Sequence, residues 1–156
     1  MEKVSRIIFA DQNEDFRLLM ADSVVNESGI ELIDSTGDGA QLIKLIGEKK
    51  PDVVVMDLIL QNKDGISVLR EYAGKSGYRP AFIIVSAFMQ EKIVAESAAL
   101  GAYYFISKPC DVHELFCRVR EVAAESRSEA GIVSVKGNKK AISDRKIESM
   151  VTDVIH

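Results

Sequence analysis

Four polar residues stand where apolar runs end, and together they carry one kind of chemistry. Asp57 interrupts VVVMDLIL (53–60), Asp11 follows the run in FADQNED (9–15), Ser86 the run in IIVSAF (83–88), and Lys108 the run in FISKPC (105–110). An isolated carboxylate buried among apolar side chains is costly unless it is compensated, so Asp57 belongs at the mouth of a cleft. Two carboxylates at one rim repel by about 4 kcal/mol at ~4 Å and an effective dielectric of about 20. Two cations offset this: the Lys108 ammonium and a hard divalent ion. Mg²⁺ suits carboxylate and carbonyl oxygens, keeps several waters, and commonly shares its site with a phosphoryl group. A carboxylate nucleophile beside Mg²⁺, a hydroxyl and a lysine is a phosphoryl-accepting set. Asp57 attacks in line while the metal and Lys108 neutralise the equatorial oxygens.

Such a set needs elements that bring the ends of four runs to one rim. RIIFA (6–10), ELIDS (31–35), VVVMD (53–57), AFIIV (81–85) and YYFI (103–106) have strand length and composition. Between them lie stripes of helical spacing: Phe16, Leu19, Met20 and Val24; Leu42, Leu45 and Ile46; Ile66, Leu69 and Ala73; Ile93, Ser97 and Leu100; and Val112, Leu115, Phe116, Val119, Val122 and Ala123. Glycines and prolines fall in the gaps, among them Gly37 with Gly39, Pro51, Gly65, Pro80, Gly101 and Pro109. Five β–α units in series, with strands apolar on both faces, specify an α/β parallel sheet covered by helices on each side. In such sheets ligands bind beyond the carboxyl ends of the strands, where these four residues fall.

This domain is expected over residues 1–126. ESRSEAGIVSVKGNKKAISDRK (125–146) is polar and glycine-containing, and residues 127–142 read as a solvated linker despite Lys136, Lys139 and Lys140. Ile147, Met150, Val151, Val154 and Ile155 then mark an amphipathic helix over 143–156. Its stripe docks on the first domain, pairs with a partner, or opens a second domain.

The 156 residues carry a net charge of −4, which gives the domain no general attraction to nucleic acid. No apolar segment approaches the ~20 residues of a membrane span, and no secretion signal opens the chain. The expected location is the cytoplasm, without membrane partners. Cys110 and Cys117, if on one helix, lie about 10 Å apart along it, too far for a disulfide.

The segments ADQ (10–12), MDLILQNKDG (56–65), VSAF (85–88) and YFISKP (104–109) together resemble the receiver domain of two-component response regulators, over roughly residues 4–125. The resemblance implies a doubly wound five-stranded parallel sheet of order 2-1-3-4-5, flavodoxin-like, that accepts phosphate on Asp57 from a histidine kinase or phosphotransferase. Asp11 and Asp57 would bind Mg²⁺ with the backbone carbonyl of Ile59, Ser86 and Lys108 would bind phosphoryl oxygens, and Phe105 matches the switch aromatic. It implies no enzyme beyond self-phosphorylation and dephosphorylation, and no organic cofactor. A homodimer on phosphorylation is the further expectation. Within the family, SAFMQEKIVAESAALGAYYFISKP (86–109) is most similar to sporulation regulators of endospore-forming bacteria. KIESMVTDVIH (146–156) looks like the opening helix of their DNA-binding domain, so contact with DNA requires a longer effector region.

Two residues depart from the family pattern. Gln12 stands where an acid usually ligates the metal; its amide oxygen still coordinates, but the weaker charge implies weaker Mg²⁺ binding and slower phosphorylation. Gln61 stands where proline is common, which suggests a looser loop. Ile59 and Phe88 should crowd out water and slow hydrolysis of the phosphoryl-aspartate. Taken singly, Asp57 is a cap or ion-pair partner, Ser86 a turn residue, Lys108 a solvated side chain, Phe105 core and His113 surface; their functional weight is joint. TGDGAQL (36–42) mimics a dinucleotide-binding fingerprint but lacks its third glycine and follows the second strand. The competing reading is a degenerate receiver, a phosphorylation-independent interaction module with Gln12 as the trace of lost metal chemistry.

Overall fold

In the computed structural model, which describes residues 3–87 and 90–131 and leaves the side chains of 129–131 aside, strands and helices alternate along the chain. The elements are β1 (Ser5–Ala10), α1 (Glu14–Val24), β2 (Ile30–Thr36), α2 (Gly39–Lys49), β3 (Val53–Met56), α3 (Gly65–Tyr72), β4 (Ala81–Ser86), α4 (Glu91–Ala99), β5 (Ala102–Ser107) and α5 (Val112–Gly131). All strand pairs are parallel, in the order β2-β1-β3-β4-β5. This is the doubly wound strand order that the resemblance implies, with the order reversing between β1 and β3.

Period-two alternation divides the central strands between two cores. Ile8, Ala10, Val54, Met56, Phe82 and Ile84 face α2, α3 and α4. Ile7, Phe9, Val53, Val55, Ile83 and Val85 face α1 and α5. Only β1, β3 and β4 are buried nearly throughout; the edge strands β2 and β5 are half-exposed over most of their length, which corrects the expectation of strands apolar on both faces. An edge strand has one neighbour and a helix covers it only partly.

Side-chain caps set four of the helices, α5 through the Asp111 carboxylate, which accepts His113 N–H at 2.8 Å. Asn13, Asp38 and Asp64 each accept the backbone N–H three residues on, starting α1, α2 and α3. The α5 stripe packs as expected, with Leu115, Phe116, Val119, Val122 and Ala123 buried. On α1, Leu19 is 49% exposed, because the line that meets the sheet is Phe16, Met20 and Val24, spaced by four. Helix α5 continues to Gly131, so residues 127–131, expected in the linker, are helical. Cys110 precedes α5 rather than lying on it, and both cysteines are free. Phe88, residues 132–142 of the linker and the 143–156 helix lie outside the described residues. No helix among the described residues is long and apolar enough to cross a membrane.

Candidate phosphoacceptor site

The ends of β1 and β3 are adjacent in register, with Ala10 opposite Met56, so the next residue of each is a carboxylate at the same level. Asp57 N–H donates to the Ala10 carbonyl at 2.9 Å, which locks the two loops together. The reversal of strand order at β1 and β3 opens the rim here, as it does in doubly wound sheets generally. From β5, Lys108 reaches back across β4: its N–H donates to the Ser86 carbonyl at 3.0 Å. Its ammonium donates to Asp11 Oδ2 at 2.5 Å and to Asp57 Oδ2 at 2.6 Å.

Asp57 is 8% exposed and Asp11 2%, so neither carboxylate is solvated, and each is satisfied from two sides. Asp11 Oδ1 accepts from Asn13 N–H at 2.9 Å, and Asp57 Oδ1 from Ile59 N–H at 3.1 Å. Burial by itself lowers the Lys108 pKa, but the hydrogen bonds and charges of Asp11 and Asp57 outweigh it and hold it above the ordinary lysine value. The lysine is therefore cationic at neutral pH, and its contribution to stability is lost only as pH rises through that elevated value.

The structure brings Asp11, Asp57 and Lys108 into direct contact and places Ser86, fully buried, at the end of β4 on the same rim. Ile59 lies two residues beyond Asp57 and is 43% exposed. Gln12 is exposed, and its amide makes no hydrogen bond among the described residues. Phe105 is fully buried within the core beneath α2, α3 and α4. His113 is a surface residue, paired with Glu27 at 3.1 Å.

The loop expected to be loose is not. Gln61 N–H donates to the Gly37 carbonyl at 3.0 Å and its carbonyl accepts from Gly39 N–H at 2.9 Å. Proline would lack the first of these donors. Sequence reasoning also passed over Phe16 as a site neighbour: its ring lies 4.9 Å from the Lys108 ammonium, a cation–π contact from the first turn of α1. Phe16 was legible only as a core residue, since nothing in its spacing points to a cation.

No group of three or more His, Cys, Asp or Glu side chains able to hold a metal exists among the described residues. The oxygen donors expected from the sequence are instead two carboxylates, the Ile59 carbonyl and the Gln12 amide. All are hard oxygens, which fits Mg²⁺ in type, with one negative charge fewer than a site with an acid at position 12.

The family described as the response regulator receiver domain matches residues 7–120. The chain is similar to the response regulator domain of CheB from Thermotoga maritima, at 26% identity over 78% of this chain and 98% of that one, with a TM-score of 0.71. It is also similar to a chain of the CheX–CheY–BeF3–Mg complex from Borrelia burgdorferi, at 25% identity over 76% of this chain and 88% of that one, with a TM-score of 0.65. A DNA-binding response regulator of the LuxR family from Staphylococcus aureus shares the fold at 23% identity, over 77% of this chain and 99% of that one, with a TM-score of 0.72.

Proposed function

The chain belongs to the response regulator receiver family, and from that membership we propose that it accepts a phosphoryl group on Asp57 from a phosphohistidine of a histidine kinase or phosphotransferase. The observation that carries this reading is the Lys108 ammonium bridging Asp11 and Asp57 at 2.5 and 2.6 Å. In the transfer an Asp57 carboxylate oxygen attacks phosphorus, the phosphorus–nitrogen bond breaks, and its electron pair returns to the donor imidazole. Lys108 neutralises the equatorial oxygens and the Ser86 hydroxyl donates a hydrogen bond to them, while Ile59 N–H and the bridging lysine hold the Asp57 carboxylate in place. Asp11, Asp57, the Ile59 carbonyl and Gln12 would hold Mg²⁺, which when bound supplies further neutralisation of phosphoryl charge.

With Gln12 in place of an acid, Mg²⁺ binds weakly, and Ile59 beside the site slows attack of water on the acyl phosphate. Phosphorylation biases a two-state equilibrium through Phe105 and the α4–β5–α5 face, and a second copy of the chain docks there. The segments quoted above favour a regulator of sporulation. Incubation with acetyl phosphate or a phosphohistidine donor and Mg²⁺ adds the mass of one phosphoryl group, and Asp57→Asn abolishes it. The second reading, a phosphorylation-independent interaction module, rests on Gln12 standing where the family usually has an acidic metal ligand. No mass gain with any donor supports that reading instead.

A further inference from the structure

On the carboxyl rim, the turn after β2 supplies no group to the site, yet backbone contacts hold it to two neighbouring loops. This is the TGDG turn, Thr36–Gly39, whose resemblance to a dinucleotide fingerprint has no bearing on its structure here. Asp38 and Gln61 form an isolated parallel bridge. Its two hydrogen bonds, Gln61 N–H to the Gly37 carbonyl and Gly39 N–H to the Gln61 carbonyl, are 3.0 and 2.9 Å long. Asn62, held at a left-handed φ of 65°, donates its side-chain amide to the Asp38 carboxylate. A Cβ at Gly39 would come within 1.7 Å of the Lys63 carbonyl oxygen, so only glycine permits this approach. At its other side the turn grips the β1–α1 loop. The Thr36 carbonyl accepts from Asp11 N–H at 2.9 Å, and a Cβ at Gly37 would stand 3.2 Å from Gln12 Cα.

We propose that the Thr36–Gly39 turn is a positioning element that fixes the Asp11–Gln12 loop and the Ile59-bearing loop relative to each other, and so presets the oxygen donors for a divalent ion. The inference rests on the reading of the site as a Mg²⁺-assisted phosphoacceptor. The two loops the turn joins carry every oxygen donor of that site. With one carboxylate fewer, affinity depends more heavily on how well the Ile59 carbonyl and Gln12 amide are already placed. The bridge needs an N–H at position 61, which proline cannot provide.

The test is calorimetric titration of Mg²⁺ into the whole chain and four variants, each accompanied by thermal unfolding. Gly39→Ala, Gln61→Pro and Asn62→Gly lower Mg²⁺ affinity, by about tenfold for the two backbone variants. Gln61→Ala keeps the N–H and binds as the wild type does. Asn62→Gly removes a single exposed side-chain hydrogen bond and keeps the left-handed backbone that glycine adopts freely, so it decides the matter if the backbone variants do not fold. Folded variants that bind Mg²⁺ like the wild type overturn the positioning role while leaving the phosphoacceptor reading in place. A wild-type chain that neither binds Mg²⁺ nor gains a phosphoryl group overturns both.

Discussion

Lys108 is the residue on which the site's charge balance turns. It is the cation that bridges two carboxylates, each otherwise held only by a backbone N–H. Removing one partner of a buried ionic set leaves uncompensated charge. Lys108→Ala should therefore cost about 3 kcal/mol in urea unfolding, and adding Asp57→Asn should recover part of that loss. If the double variant is less stable than the single, the carboxylates do not repel each other as the geometry requires. Cys110, next but one to Lys108, gives a second prediction. Burial pushes its thiol above the ordinary cysteine value, against the pull of the Lys108 charge. Because the thiolate is the nucleophile, Cys110 should alkylate slowly at pH 8 and speed up only as the pH rises past the ordinary cysteine value. Peptide mapping after timed iodoacetamide treatment measures the rate, and fast labelling of Cys110 at pH 7 would contradict it. At this scale Asp11, Asp57, Ser86 and Lys108 were legible because each ends an apolar run, a pattern that survives in one dimension. Phe16 was not, because its contact with Lys108 is made across the sheet's end, between α1 and the loop after β5.

Elements explain which of the sequence patterns held. Strands and helices appeared where periodicity placed them, since burial on a sheet face or a helix stripe leaves a periodic trace. What periodicity cannot carry is the pairing of loops with each other. The TGDG turn and the Gln61 loop join through backbone groups, which every sequence possesses, so neither the bridge nor the tightness of that loop was visible beforehand. Leu19 was misplaced for a related reason: the stripe on α1 admits two apolar lines, and only the packing against Phe9 and α5 selects the one through Phe16. Asp38 ties these observations to a pH dependence. The Gln41 N–H, then the Asn62 amide, hold its carboxyl below the ordinary range. A depressed carboxyl stabilises the fold above its unfolded pKa, near 3.9, and that contribution disappears as pH falls through the folded value. The gap in urea midpoint between wild type and Asp38→Ala should thus be open at pH 6 and narrow below pH 4. A gap independent of pH would place the effect in α2 capping by something other than the ionised carboxylate.

For the whole molecule, the consequence lies in β5, which belongs to both the site and the surface. Lys108 follows its last residue, while Tyr104 and Phe105 within it line a cleft of about 300 Å³ shared with Pro109, Cys110, Glu114 and Arg118. Arg118 lies 5.0 Å over the Tyr104 ring at the mouth of that cleft. β5 is also an edge strand, with half-exposed side chains over most of its length among the described residues. If phosphoryl binding and self-association both draw on the position of β5, linkage makes them reciprocal: each must tighten the other by the same factor. Couplings of this kind are typically about 1–3 kcal/mol, large enough to read. With beryllofluoride and Mg²⁺ as a phosphoryl mimic, sedimentation should show the chain passing from monomer toward dimer. The apparent affinity for the mimic should then rise with protein concentration. Asp57→Asn, which cannot take the mimic in place of a phosphoryl group, should remain monomeric throughout. A dimer that forms equally with and without the mimic, whose affinity then stays constant across concentrations, would show that association uses a surface uncoupled from β5, and that Lys108 does not transmit the state of Asp57 to it.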